Sequence, residues 1–360
     1  MKKFAYVTLK DIAMQLNVSS VTVSKALRGH PDISINTTKK IKRLAQELGY
    51  VPNFFARSIS SSQSKTIGII IPSISDYFPI KILESMYEIA TTNGYELLLM
   101  SSQENPQSEQ KHIETLLSMR VDGIIMSMTE FIKDISLIQR VKLLGVPITF
   151  ITGDVYEDGF NKVLVDDIGG AFSAVEQAIK VGYKKIATMS GYQHTSVGKN
   201  RLIGYEVALK GHNIPVRKDW IIPCGNNDRD GYDGLKKLYE SKNLPECIFC
   251  FSFSVALGVF NAACELGLKI PDDIDIISFG TSNINQFLSP SITYVELPSR
   301  ELGRTAMDLT IKSIKEKELF KSRTIILPTH LVMRGTCVTP LEQASSPEFT
   351  YVSYARAYGQ

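Results

Sequence analysis

A run of seven residues near the start of the chain, SSVTVSK at 19–25, carries side chains that can contact a nucleic acid. Small hydroxyl groups can approach a phosphate backbone closely and hydrogen-bond its oxygens. Lys25 can donate to the O6 and N7 atoms of guanine, and Val21 can pack on a thymine methyl group. The candidate DNA contacts in and around this run are Thr8, Ser19, Ser20, Val21, Thr22, Ser24, Lys25 and Arg28.

Three short helices are expected to position these side chains. Apolar residues recur at helical spacing over 9–16 with Thr8 as an N-cap, and Ser19 and Ser34 can cap a second and a third helix. Two short helices three residues apart, with a third helix to support them, match a helix-turn-helix. In that motif the second helix enters the major groove of DNA with its N-terminal residues toward the bases.

The charge of the chain is unevenly distributed. Residues 1–66 carry 11 Lys and Arg against 3 Asp and Glu, whereas the rest of the chain carries 29 against 34. A basic head on a mildly acidic body indicates a polyanionic partner for the head alone. A solvated basic cap is the alternative, but the charge, the caps and the helix spacing together favour DNA.

From Thr66 onward the pattern changes to apolar runs that alternate with helix-like stretches. This alternation predicts parallel sheets with helices on both faces. The strands are too many for one modest sheet, so we expect a body of two doubly wound α/β lobes behind the all-α head. The predicted strands lie at 67–71, 96–100, 123–126, 147–151, 163–165, 186–189, 247–251 and 274–279.

Four motifs in the first sixty residues are shared with one family of proteins. They are the T-L-K-D-I-A opening, V-S-x-x-T-V-S, the L-G-Y-x-P-N junction and the A-R-S that follows it. On these motifs the head resembles that of the lactose-repressor (LacI/GalR) family of transcription regulators, and the body resembles the same family to about residue 339. The resemblance implies a periplasmic-binding-protein-like body. It also implies a homodimer, more often a repressor, that binds a pseudo-palindromic double-stranded DNA operator under the control of a small molecule.

The resemblance further implies a hinge helix at 53–60, which pairs with its counterpart in the minor groove of the operator. Ile59 matches the apolar side chain that the family wedges between base pairs, and packing in a core is the alternative role. The family usually has Leu at this position, whereas Ile59 is β-branched and shorter. The hinge candidates are Asn53, Ala56, Arg57 and Ile59. The predicted domains are a helix-turn-helix domain at 1–51, a hinge helix and linker at 52–65, a two-lobed effector-binding and dimerisation domain at 66–340, and a tail of unknown role at 341–360.

A ligand cleft between the two lobes is also implied, at the C-terminal ends of the strands. Arg201 matches the arginine that clamps the family's ligands, with a structural helix-cap pair as the alternative. Tyr77 and Phe78 either face the cleft or pack a lobe edge. The family's usual ligand is a sugar or sugar derivative. Gly280 stands where the family usually has an acid that accepts ligand hydroxyls, so the alternatives are a less hydroxylated ligand, an anionic ligand and no ligand. The predicted effector contacts are Asp76, Tyr77, Phe78, Asp166, Arg201, Asn226 and Gly280.

The sequence contains none of the motifs GxGxxG, GxxxxGK[ST], HExxH and GxSxG, and its five histidines show no spacing typical of metal ligands. We therefore expect no enzymatic activity, catalytic residue, cofactor or metal site. A small-molecule binding or transport receptor without DNA function is a second hypothesis, which the basic head opposes. An α/β enzyme is a third, and it lacks a nucleophile and its base.

Five cysteines, an odd number, and an N-terminus without a secretory signal indicate the cytoplasm. Cys247 and Cys250 form a CxxC within a predicted strand, where residues three apart face opposite sides, so the pattern favours core thiols over a metal pair. The uncharged stretch 247–264 is near the lower limit for a membrane-spanning helix. Its composition fits a buried strand followed by a packed helix better, and we expect no membrane partner.

Overall fold

The computed structural model describes residues 7–51, 63–74, 77–128, 136–153, 158–317 and 321–338. The chain divides into two units, Met1–Ser64 and Lys65–Gln360. The predicted hinge at 53–60 and the tail at 341–360 lie outside the described residues.

Three helices with capped N-termini form the first unit. Thr8 caps α1 in a reciprocal capping box, in which its hydroxyl accepts the amide of Asp11 and the carboxylate of Asp11 accepts the amide of Thr8. Ser19 and Ser34 cap the next two helices, as the sequence predicts. The helices are α1 (Leu9–Leu16), α2 (Ser20–Leu27) and α3 (Ile35–Glu47). Their shared core consists of Ile12, Ala13, Val23, Ala26, Ile41 and Ala45.

Thr8→Ala should lower the free energy of unfolding of the head by about 1 kcal/mol, because it leaves the first amides of α1 without their cap. Thr8→Ser keeps the hydroxyl and should retain most of the stability. The head transition in differential scanning calorimetry of the whole protein measures both variants. Equal losses for Ala and Ser would show that the cap contributes little.

The second unit contains two α/β lobes, each built on a six-stranded sheet. In lobe 1 all paired strands are parallel. The strands of lobe 1 are β1 (Thr66–Ile71), β2 (Glu96–Ser101), β3 (Gly123–Met126), β4 (Ile148–Ile151), β5 (Asn161–Val165) and β11 (Thr324–Leu327), in the order β11-β5-β4-β3-β1-β2. Its helices are α4 (Tyr77–Thr92), α5 (Pro106–Ser118), α6 (Ser136–Leu143) and α11 (Ser299–Glu316).

Lobe 2 has a parallel sheet with one antiparallel edge strand. Its strands are β6 (Ile186–Met189), β7 (Ile221–Ile222), β8 (Cys247–Cys250), β9 (Asp275–Phe279), β10 (Thr293–Glu296) and β12 (His330–Val332), in the order β12-β10-β9-β8-β6-β7. Its helices are α7 (Asp167–Val181), α8 (Ser196–Gly211), α9 (Asp228–Glu240) and α10 (Phe253–Glu265), with short 3-10 helices at Lys218–Trp220 and Asn283–Phe287. Three crossovers join the lobes, from β5 to α7, from β10 to α11 and from β11 to β12.

The predicted doubly wound architecture is confirmed, and each predicted strand is present. Four strands were missed, namely β7, β10, β11 and β12. Three of them lie at sheet edges, and two are only two and three residues long. Such strands bury too little apolar surface to leave a long hydrophobic run in the sequence.

The CxxC pair lies in β8 with its two thiols on opposite sides of the sheet. Cys247 packs in the core beside α7 and α8, and Cys250 packs in the core beside α9 and α10. Both thiols are buried, and burial raises the pKa of each. The uncharged stretch 247–264 forms β8 and most of α10, as predicted. Among the described helices, none is long and apolar enough to cross a membrane.

Candidate DNA-reading helix and ligand cavity

Helix α2 presents one face to the core of the head and the other to solvent. Val23 and Ala26 are fully buried, whereas Val21 is 64% exposed. The Ser19 hydroxyl accepts the amide of Thr22 at 3.0 Å and so fixes the first turn. Ser20, Thr22, Ser24 and Lys25 are partly exposed, and Arg28 at the C-terminal end is exposed, with its Nε donating to the Ser24 carbonyl at 3.2 Å.

The ammonium group of Lys25 is held by an acid that the sequence analysis did not single out. Lys25 Nζ lies 2.5 Å from one carboxylate oxygen of Asp32, and His30 Nδ1 lies 2.6 Å from the other. The hydrogen bond from Lys25 lowers the pKa of Asp32. Lys25, which was predicted to contact bases, therefore forms an ion pair with Asp32 in the unbound head. The available signal was an acid seven residues after Lys25, in the loop that follows α2.

The other basic and hinge residues of the head fall into two groups. Helix α3 presents exposed basic residues at 39, 40, 42 and 43, where they can meet phosphates. The hinge candidates Asn53, Ala56, Arg57 and Ile59 lie outside the described residues.

Two predicted effector side chains lie outside the part of the structure that is described. Asp76 lies outside the described residues. Tyr77 begins α4, but its side chain is not among those described.

A cavity of about 510 Å³ lies between the two lobes. Its lining comes from the C-terminal ends of β1, β3 and β4 in lobe 1 and from the N-terminal turns of α8, α9 and α10 in lobe 2. The volume is within the range of small-molecule sites, and the position matches the crevice where open parallel sheets bind ligands. Of the predicted effector contacts, Phe78, Arg201, Asn226 and Gly280 line it.

Arg201 lines this cavity, and its guanidinium group is hydrogen-bonded to other residues of the protein. Its Nε donates to Asp167 at 2.8 Å and its Nη1 donates to the Phe251 carbonyl at 2.6 Å. The guanidinium carbon lies 3.6 Å from the ring centre of Phe279 and 4.8 Å from that of Phe251. Burial lowers the pKa of Arg201 and raises that of Asp167, although their mutual attraction opposes both shifts.

Of the two adjacent acids at the start of α7, Asp167 lines the cavity and the predicted Asp166 does not. Asp166 is exposed, and its carboxylate accepts the amide of Gly169 at 2.8 Å as the N-cap of α7. Asp167 is buried one residue further along the helix. The sequence does not show which of two adjacent acids at the start of a helix caps it and which faces the cavity. The direction of the first helical turn decides this.

Gly280 follows β9 and leaves room beside the cavity. Its φ is +79°, and a Cβ atom placed there would meet only Leu297 Cδ1, at 3.4 Å. Tyr192 and Phe253 also line the cavity and were not predicted. His194 is exposed, with its ring centre 5.1 Å from that of Tyr192.

Two parts of the chain match families of known proteins. Residues 8–53 match the family described as bacterial regulatory proteins, lacI family, and residues 64–334 match periplasmic binding proteins and sugar binding domain of LacI family. The catabolite control protein A of Priestia megaterium is 31% identical over 91% of this chain and 98% of its own length. The transcriptional repressor PurR of Actinobacillus pleuropneumoniae serotype 3 is 29% identical over 91% of this chain and 97% of its own.

A solved structure of the Lac repressor dimer bound to operator and the anti-inducer ONPF shares this fold. It has a TM-score of 0.79 at 22% sequence identity, over 93% of this chain and all of that one. The matches to both units, together with a capped helix-turn-helix and a cavity between two α/β lobes, identify the protein's class. The chain belongs to the LacI family of bacterial regulatory proteins, and it is a DNA-binding transcriptional regulator with an effector-binding body.

Proposed function

We propose that this protein represses transcription by binding a pseudo-palindromic operator as a homodimer, and that a small molecule in the cavity controls its affinity for that operator. The observation that carries the proposal is the orientation of α2. Its buried face locks Val23 and Ala26 into the head, so Val21 and Lys25 point away from the core. A helix held in this way can enter a major groove without unfolding.

The roles of individual residues in DNA binding are part of the proposal. Val21 and Lys25 read base edges, and the hydroxyls of α2 bind phosphates together with Thr8 and Arg28. Residues 1–51 then form the DNA-binding domain, with a hinge at 52–65 that brings Asn53, Ala56, Arg57 and Ile59 to the minor groove. The body at 66–340 binds the effector, and we assign no role to the tail at 341–360. We further propose that the protein acts in the cytoplasm and catalyses no reaction.

Operator affinity should fall steeply with salt, because each neutralised phosphate releases counterions. For six or more phosphate contacts we expect a loss of about 10³-fold between roughly 50 and 200 mM salt. Fluorescence anisotropy with a labelled fragment of the protein's own promoter region measures it. Lys40→Ala on α3 should reduce the log–log slope by about one per subunit, and Lys111→Ala on α5 should leave it unchanged. A flat salt response would favour the receptor without DNA function.

The homodimer is supported by large apolar side chains that each lobe exposes. Ile80 and Tyr87 on α4 are 44% and 59% exposed, and Phe287 in lobe 2 is 70% exposed. Such side chains are typical of surfaces that a second subunit covers.

Phe287→Asp should therefore shift the protein from dimer toward monomer, because a carboxylate would be buried against an apolar partner surface. Sedimentation velocity at micromolar concentration measures the shift. Phe287→Leu is the matched control, since it keeps an apolar side chain at this position and should leave the dimer largely intact. An unchanged sedimentation coefficient for Phe287→Asp would show that Phe287 does not lie in the subunit interface.

A further inference from the structure

The lobe 1 side of the cavity is lined mainly by apolar side chains. Aliphatic and aromatic side chains from β1, α4, β4 and β5 line it, and most of them also belong to the buried core of lobe 1. The main ones are Ile71, Phe78, Ile82, Met86, Ile151 and Val165. A ligand group that meets this wall gains free energy from burying apolar surface and finds little to hydrogen-bond.

Two hydroxyl groups on the same wall are already bonded within the protein. Ser127 Oγ lies 2.8 Å from Thr152 Oγ1, and Thr152 Oγ1 donates to the Ile151 carbonyl at 2.6 Å. Ser127 and Thr152 directly follow β3 and β4. Thr152 donates to the Ile151 carbonyl and Ser127 then donates to Thr152, so both hydroxyl protons are already used and a ligand acceptor there finds no free donor.

Several polar side chains of the lobe 2 wall serve as helix caps. Thr195 accepts the amide of Gly198 and Asn227 accepts the amide of Asp230, at 3.1 and 2.9 Å. Ser252 likewise caps α10. A side chain that caps its own helix has less capacity left for a ligand.

The charges of the cavity do not favour an anion. Arg201 is neutralised by Asp167 and enclosed by two phenylalanine rings. Asp228 and Glu104 also line the cavity, and both are exposed to solvent. These carboxylates would repel an anionic ligand. Arg201, the arginine among the described lining residues, is already paired with Asp167. A neutral ligand carries no net charge, so these carboxylates do not repel it.

We propose that the effector is an uncharged, largely apolar molecule with one or two polar groups, rather than a free sugar. The proposal rests on the proposed function of the cavity. Gly280 supports it further, because no acid stands at that position to accept ligand hydroxyls. Each hydroxyl of a polyol that enters without a partner weakens binding.

Isothermal titration of the full-length protein with cyclohexanol, 4-propylcyclohexanol and 4-pentylcyclohexanol tests this class. Affinity should rise roughly fourfold for each buried methylene until the cavity is full. myo-Inositol has the same ring with six hydroxyls, so it isolates the effect of hydroxylation and should bind more weakly than cyclohexanol. 4-Pentylcyclohexanecarboxylate should bind more weakly than the matching alcohol. Tighter binding of inositol, glucose or the carboxylate, or no binding of any alcohol, would overturn the proposal.

A pair of variants shows whether binding occurs in this cavity. Met128 lines lobe 1 just beyond β3 and is partly exposed. Met128→Asp should weaken binding of 4-pentylcyclohexanol by at least about tenfold, and Met128→Leu should leave it nearly unchanged. Equal affinities for the two variants would place the alcohol elsewhere and overturn the assignment. Operator affinity in the same preparations separates this failure from a failure of the proposed regulator function, since it does not depend on the ligand class.

Discussion

Arg201→Ala is expected to lower the free energy of unfolding by about 3–5 kcal/mol, because it leaves the Asp167 carboxylate buried without its partner. The two side chains are 10% and 3% exposed, so water cannot replace the lost guanidinium. The substitution also removes the contacts with the rings of Phe251 and Phe279. Urea denaturation followed by circular dichroism measures the loss.

An exposed ion pair on the same helix provides the matched control. Lys210 on α8 lies 2.8 Å from Glu206, and 64% of its side chain is exposed. Lys210→Ala should change the free energy of unfolding by less than about 1 kcal/mol, because solvent screens this pair and hydrates the remaining carboxylate. Similar losses for the two alanine variants would show that burial of the Arg201 pair has little effect on stability.

The double variant Arg201→Met with Asp167→Leu separates the ion pair from the packing. It removes both charges and keeps much of the volume, so its stability should return close to that of the natural protein. If the double variant is as unstable as Arg201→Ala, packing on the rings dominates, and the charge pair contributes little.

Lys25→Ala should reduce discrimination among operator variants by about tenfold at one base pair, because it removes a donor to a base edge. Asp32→Asn should act in the opposite sense on affinity. It removes a negative charge near the phosphates, so binding to every sequence should tighten. It also frees the ammonium group of Lys25 to meet any nearby acceptor, so the ratio of specific to non-specific affinity should fall.

Fluorescence anisotropy with a set of single-base operator variants measures both effects. Lys40→Ala is the matched control for Lys25→Ala, since a lysine that contacts only phosphates should weaken all sequences alike. Asp32→Glu keeps the charge and should retain most of the discrimination. If Lys25→Ala and Lys40→Ala act alike on every sequence, then Lys25 does not read bases.

The helices of the head could be predicted from the sequence almost completely. They begin after Thr8, Ser19 and Ser34, each of which accepts an amide three residues further along the chain. These interactions are local, so the residue types and their spacing are sufficient to reveal them. The ion pair between Lys25 and Asp32 was missed because it joins a helix to the loop beyond it.

The body could be predicted in its layers but not at most of its edges or in its cavity. Long apolar runs revealed most of the central strands, since these bury both faces, whereas the interior strand β10 was missed and the edge strand β2 was predicted. The crossover strands β11 and β12 are short and lie at the edges of the two sheets, where little apolar surface is buried.

The sequence by itself indicated the class of the protein through its resemblance to the LacI family. It also predicted the capped helices of the head and the two α/β lobes, because caps and hydrophobic periodicity act over a few residues. Only the tertiary structure decided that Asp167 rather than Asp166 faces the cavity, and that Arg201 is already paired there. Both outcomes depend on how α7 and α8 pack together, which joins residues 34 positions apart. Contacts of that range follow from the packing of whole helices, and no local pattern records them.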